Sequence, residues 1–84
     1  MTTITLRYFA SLREALGPTD TLAVPDGATL GAVRDLLIAR GGRHAEVLAR
    51  TRALRGAINQ VLSDEATPVP EGAEVAFFPP VTGG

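Results

Sequence analysis

The last eight residues of this 84-residue chain, Phe77-Phe78-Pro79-Pro80-Val81-Thr82-Gly83-Gly84, restrict its folding more than any other stretch. Two aromatics end an extended segment, and two prolines then fix φ near −65° and remove backbone donors. After Phe78 the chain can neither continue inside a sheet nor turn into a helix, so the remaining residues must leave the body. Val81 and Thr82 are β-branched and favour extended backbone, while Gly83 and Gly84 carry no Cβ and are little wider than the peptide itself. Four residues beyond Pro80, at about 3.3 Å each, reach roughly 13 Å, enough to place a terminal carboxylate inside another protein. A Gly-Gly end alone would equally describe a frayed terminus. The stiffened base directly after a hydrophobic strand favours insertion instead. The expected organisation is a folded body over residues 1–78 and an extended tail over 79–84.

The body reads as alternating short elements. Ile4, Leu6 and Tyr8 alternate with Thr3, Thr5 and Arg7, the period of a strand over residues 2–8 with one buried face. From Phe9 the period changes, with Phe9, Leu12 and Leu16 at i, i+3 and i+7. Ser11 with Glu14 has capping-box spacing, predicting a short helix over 10–16 that Gly17-Pro18 stops. A strand over 21–24 ends at Pro25-Asp26-Gly27. Thr29 caps a main helix whose apolar stripe is Leu30, Val33, Leu36 and Leu37, and Gly41-Gly42 terminates it. Arg34, Asp35 and Arg40 fall off that stripe and read as a solvated face. Residues 44–52 read as a helical turn or two. A strand over 53–58 contains Gly56, the sign of a bulge or a close backbone approach. Asn59-Gln60 turns it into Val61-Leu62, although the second turn position lacks glycine. In the final strand, Glu74 to Phe78, Val75 and Phe77 share one face and Ala76 and Phe78 the other. One of the two phenylalanines is expected in the core and one outward.

This order in so few residues is an α+β layer with one main helix packed across a mixed sheet. The β-grasp arrangement closes such a core by setting the first and last strands side by side. A ferredoxin-like βαββαβ fold fits less well, because the first helical segment is too short to cover half a sheet.

The composition removes many functions. A net charge of −1 argues against a nucleic-acid binder driven by a general basic field. No run of 18 apolar residues is present to cross a membrane, and Met1-Thr2-Thr3 lacks a basic signal region, so a cytoplasmic location is expected. With no cysteine there is no disulfide, thiolate metal site or cysteine nucleophile. His44, the one histidine, reads as a solvated loop residue, and no metal is expected. All eight basic residues are arginine, so no side-chain amine is present to form a Schiff base or to accept an acyl group in an isopeptide bond. Gly41-Gly42 lacks the Lys or Ser/Thr of a phosphate loop. Ser11, His44 and Asp20 have no triad spacing, and Glu71 and Glu74 beside a turn read as solubilising charges. The terminal carboxylate is then the one unusual group. Joined to AMP it becomes an acyl-adenylate with a good leaving group, which a sulfur nucleophile can displace to leave a thiocarboxylate. Glycine suits both steps, because it hinders neither attack nor entry into a channel.

The ten-residue tail Val75-Ala76-Phe77-Phe78-Pro79-Pro80-Val81-Thr82-Gly83-Gly84 resembles the C-terminal signature of the small, sulfur-carrying subunits of molybdopterin synthase, the MoaD family. Arg7 to Gly17 is similar to that family's first strand and helix, and Ala57-Ile58-Asn59-Gln60 to its central hairpin. The resemblance implies a ubiquitin-like β-grasp protein with no stably bound cofactor. Gly84 would be adenylated by an ATP-consuming, ubiquitin-activating-like partner (MoeB) and sulfurated by a sulfur donor protein. The charged tail would then enter the large synthase subunit (MoaE) in a heterotetramer and donate sulfur to cyclic pyranopterin monophosphate. Gly84 carries the reacting carboxyl, Gly83 keeps the tail slim, and Pro79 and Pro80 hold it away from the sheet. Val81 and Thr82 complete the inserted segment, and Phe77 or Phe78, whichever faces outward, anchors the partner. A ubiquitin-like protein modifier and a thiamin-pathway-type sulfur carrier use the same terminus. A pure interaction module with the tail as static ligand would leave Gly84 unmodified.

Overall fold

The computed structural model describes residues 1–80. Its elements run β1 (Thr2–Tyr8), α1 (Ser11–Leu16), β2 (Thr19–Val24), α2 (Leu30–Ile38), α3 (Gly42–Val47), β3 (Arg55–Ile58), β4 (Val61–Ser63) and β5 (Glu74–Phe78). The five strands form one mixed sheet in the order β2-β1-β5-β3-β4. β1 and β5 pair in parallel at its centre, with Leu6 opposite Val75 and Tyr8 opposite Phe77, and every other pairing is antiparallel. First and last strands lie side by side, as the β-grasp reading required.

Alternation decides which face is covered. Ile4, Leu6 and Tyr8 of β1 and Val75 and Phe77 of β5 point the same way and meet Leu12, Leu30, Val33, Leu37 and Leu48 in one core. Thr29 caps α2 as expected, its Oγ1 accepting from the Ala32 N–H at 3.2 Å. The two preceding N–H groups, Leu30 and Gly31, donate to the Thr67 and Glu65 carbonyls at 2.9 and 3.0 Å. The loop before β5 thus satisfies the donors that a helix start leaves over. A Cβ on Gly56 would sit 2.6 Å from Leu30 Cδ2, so glycine there is the close approach rather than a bulge, and it lets α2 lie on β3. Asn59 and Gln60 both adopt positive φ, 50° and 69°, as a two-residue hairpin turn of the primed type requires. Asn59 is held against β5 by two bonds to Glu74: its N–H donates to the Glu74 carbonyl at 2.8 Å, and its Oδ1 accepts from the Glu74 N–H at 2.9 Å.

Several expectations are overturned. Ser11 is the first helical residue of α1, not its cap; Ala10 occupies that place at φ 55°, and no side chain caps the helix. β2 begins at Thr19, earlier than the alternation showed, because Leu6 and Arg7 supply partners for Asp20 and Thr19. Leu36 belongs to the apolar stripe by spacing, yet it is among the exposed hydrophobics, since it lines an open depression with Pro25, Ala28 and Ala32 instead of entering the core. α2 stops at Ile38, ahead of Gly41-Gly42, and Gly42 opens α3 instead. His44 sits inside α3, half-buried and not in a loop, with Nε2 enclosed and without a hydrogen-bond partner among the described residues.

The largest correction concerns Arg34. Its guanidinium is buried, with a side-chain exposure of 5%, and it donates to the carbonyls of Leu48 (2.8 Å), Ala49 (2.6 Å) and Arg52 (3.0 Å) and to Glu65 Oε2 (3.1 Å). Arg50 in turn binds Asp35, Glu65 and the Gly31 carbonyl. These two arginines fasten the irregular 48–52 segment and the 64–67 loop to α2. A helical wheel gives no hint of this, because the acceptors lie on segments without periodicity.

Candidate functional site

β5 carries the sequence to the tail. Its parallel partner β1 on one side and β3 on the other hold the backbone of Glu74 to Phe78, so the last paired residue, Phe78 opposite Arg55, is fixed at the sheet's end. Pro79 and Pro80 follow outside any strand and are half-buried. Pro79 lies against Ser11, Leu12, Val47, Arg52, Ala53 and Leu54, which line a cleft of about 260 Å³. Val81, Thr82, Gly83 and Gly84, the remaining predicted site residues, lie outside the described residues.

The two phenylalanines divide as expected. Phe77 is in the core at 3% exposure. Phe78 faces the other way, half-buried, with its ring edge-on to Phe9 at 6.5 Å between centroids. Arg7 stands over Phe9 at 5.8 Å and 3.9 Å from Glu74. With Ala57, Ala76, Gln60 and Leu62 these side chains line a depression of about 350 Å³ on the uncovered face of the sheet. Phe9 and Leu62 are 41% and 62% exposed, and Val61 beside Leu62 is also exposed. Sequence reasoning misses Phe9 and Leu62 as members of this patch. Spacing assigns Phe9 to the stripe of the first helix, and Leu62 joins only because β4 pairs Leu62 with Ala57.

Titratable groups among the described residues do not converge on a reactive centre. Among the described residues no group of His, Cys, Asp and Glu could hold a metal ion. Asp20 is held below the usual carboxylate range, first by its hydrogen bond from Arg40 at 2.7 Å and then by the Thr21 N–H. Tyr8 is pushed up to about 12, chiefly by burial and also by the nearby Asp20 charge. Both belong to the packing of β1, β2 and the end of α2. No helix among the described residues is long and apolar enough to cross a membrane.

Fold and patch together define a ubiquitin-like β-grasp protein whose final strand runs beside its first and ends at an apolar surface. The sequence pattern of the ThiS family matches residues 6–84. A molybdopterin synthase sulfur carrier subunit of Escherichia coli is 41% identical over 81 residues, spanning 96% of this chain and 99% of that one. The subunit of the same name from Haemophilus influenzae is 43% identical over 77 residues, spanning 92% and 94%. The chain belongs to the ThiS family and, within it, to the molybdopterin synthase sulfur carrier subunits. Among solved structures, the Haloferax volcanii HVO 2177 protein superposes with a TM-score of 0.80 at 30% identity, covering 99% of this chain and 87% of that one. SAMP1 from the same organism superposes with a TM-score of 0.77 at 26% identity, covering 98% and 99%.

Proposed function

We propose that this chain is the sulfur-carrying subunit of a molybdopterin synthase and that the carboxyl of Gly84 is its reacting group. The observation that supports the reading most is near full-length similarity to two carriers of that name, joined to a body without a reactive cluster among the described residues. The carboxylate attacks the α-phosphate of ATP in an activating enzyme of the MoeB kind, releasing pyrophosphate and forming the acyl-adenylate. A persulfide of the sulfur donor protein displaces AMP, and a thiol cleaves the resulting S–S bond to leave the thiocarboxylate. In the large subunit, of the MoaE kind, the thiocarboxylate sulfur is passed to cyclic pyranopterin monophosphate. Water then releases the terminal carboxylate, and two rounds supply both sulfurs of the dithiolene.

Gly83 and Gly84 keep the inserted segment narrow, with Val81 and Thr82 extended behind them. Pro79 and Pro80 lower the entropy lost on insertion. Phe78, with Phe9 and Leu62, is the apolar anchor on the uncovered sheet face, and aromatics in such places commonly carry much of the binding energy. A solved complex of subunits 1 and 2 of a molybdopterin-converting factor from Helicobacter pylori contains a chain of this fold, TM-score 0.68 at 23% identity, which agrees with a large-subunit partner.

Intact mass tests the chemistry. After incubation with ATP, the activating enzyme and a sulfur donor, exchange of one terminal oxygen for sulfur adds about 16 Da. A chain extended by one alanine after Gly84 should show no such gain and no sulfur transfer. Retained transfer by the extended chain would overturn the reading. Abundant adducts of this chain on lysines of other proteins would favour the modifier instead.

A further inference from the structure

Where the chain leaves the sheet, a molecule of net charge −1 carries a local surplus of positive charge. Arg55 lies cross-strand from Phe78, and Arg52 lines the cleft that holds Pro79. Both are exposed, and neither guanidinium has an ion-pair or hydrogen-bond partner among the described residues. Among the carboxylates on adjoining segments, Glu65 is paired with Arg34 and Arg50 and Glu74 with Arg7, while Asp64, which lines a cleft with Arg55 and is bonded to the Ala66 N–H and the Thr67 hydroxyl, offsets only one of the two arginine charges. Arg34, Arg40 and Arg50 each tie two segments together, whereas the side chains of Arg52 and Arg55 fasten nothing among the described residues.

We propose that Arg52 and Arg55 form a cationic collar at the root of the tail that docks on a carboxylate-lined rim around the channel of the enzymes receiving it. The inference deepens the proposed function and rests on it. Distance selects the kind of partner. The four residues after Pro80 carry the reacting carbonyl up to roughly 13 Å away, so in an extended tail neither guanidinium reaches the adenylate phosphate or the sulfur donor. A protein surface at the channel mouth is what lies beside them. Two arginines also fall far short of the roughly six to ten phosphate contacts of a nucleic-acid site. Arg55 adjoins Phe78, so the collar continues the apolar patch outward as a charged rim, the usual order of a protein interface. Opposite charge at such a rim acts on the rate of encounter more than on the chemistry after docking.

The test measures association rates of the full chain with its large synthase subunit and with its activating enzyme at 20, 150 and 500 mM NaCl, settings at which the Debye length falls from about 20 to about 4 Å. R52E/R55E should associate at least about tenfold more slowly at low salt, R52Q/R55Q by a smaller factor, and both should converge on the parent at 500 mM. The rate of sulfur transfer once the complex is saturated should not change. R43E, a single charge reversal on α3 outside the cleft, should associate close to the parent rate, well short of half the slowing of the double variant. Equal association of R52E/R55E and parent at 20 mM, or equal slowing by R43E, would overturn the collar. Failure of the parent chain to gain about 16 Da would instead remove the sulfur-carrier reading, a separate measurement with a separate outcome.

Discussion

The two faces of the sheet are built on different principles. On the helix side, Ile4, Leu6, Tyr8, Val75 and Phe77 are covered completely, and even the arginine buried there has an acceptor for each of its bonds. On the other side Phe9, Leu62 and Phe78 remain accessible around two small alanines, Ala57 and Ala76. A chain this short buries only about 60 to 65% of its unfolded surface, so leaving aromatics in water is a loss it can poorly sustain. Stability therefore resides in the covered face, and the uncovered one is where the proposed partner would dock. If that division holds, changes on one side should alter folding without docking, and changes on the other should do the reverse.

The most severe expected effect lies beyond both faces. On the proposed chemistry, removing Gly84 should reduce sulfur transfer by at least about a thousandfold, because the reacting carbon would be withdrawn by one residue from an aligned site, while the melting temperature stays unchanged. Single-turnover transfer and thermal melts on the same sample separate the two. Next comes the covered face. Arg34→Met leaves the carbonyls of Leu48, Ala49 and Arg52 without this donor and Glu65 with Arg50 alone, and should cost about 3 kcal/mol, read as a fall in the urea midpoint. Docking to the large subunit, measured by calorimetry well below the new melting point, should be unaffected. On the open face Phe78→Ala should weaken that docking by about 2 kcal/mol, roughly thirtyfold in Kd, and change stability by less than about 1 kcal/mol. An equal loss on both measurements would erase the contrast between faces.

Gly56→Ala tests the contact that seats α2 on the sheet. The new methyl meets Leu30 Cδ2, and about 1 to 2 kcal/mol of stability should be lost as Leu30 shifts. The smallest effect is confined to alkaline solution. The folded-state pKa of Tyr8 lies above its ordinary value of 10.0, at about 12, so the folded chain holds the proton longer than the unfolded one. The associated stability is complete below pH 10 and is lost as pH rises toward 12. Tyr8→Phe should flatten the decline in urea midpoint over that interval. Asp20 works in the opposite sense. Its lowered pKa gives stability that is present above about 3.8 and fades as pH falls through the folded value.

How much of the molecule is legible in its sequence depends on the range of the interactions involved. The strand of β1, the Thr29 cap and the split of Phe77 from Phe78 are each set by neighbours in sequence or by a face pattern of period two, whereas Gly56 only marks a bulge or a close approach until Leu30 of α2 is placed against it. Arg34 escapes such reading because periodicity assigns a face but not what covers it, and its acceptors are 14 to 31 residues away. His44 and Leu36 depart from expectation for the same reason in opposite directions. Ser11 and Glu14 have capping-box spacing, yet the chain leaves β1 through Ala10 at positive φ and places Ser11 one residue inside the helix. Of the open-face patch only Phe78 is foreseeable. Phe9 joins through an aromatic contact from the end of β1, and Leu62 through cross-strand pairing, both of which need the register of the sheet.

Residue identity and local backbone sterics are enough to set the order of elements, the end of β5 before Pro79-Pro80 and the lack of a cysteine or lysine for covalent chemistry, and all of these can be read from the chain unfolded. The burial of Arg34, the meeting of Phe9, Leu62 and Phe78, and the placing of Arg52 and Arg55 beside the tail's root cannot. Those outcomes require segments distant along the chain to be brought within a few ångströms, and that happens only when β5 takes its place between β1 and β3.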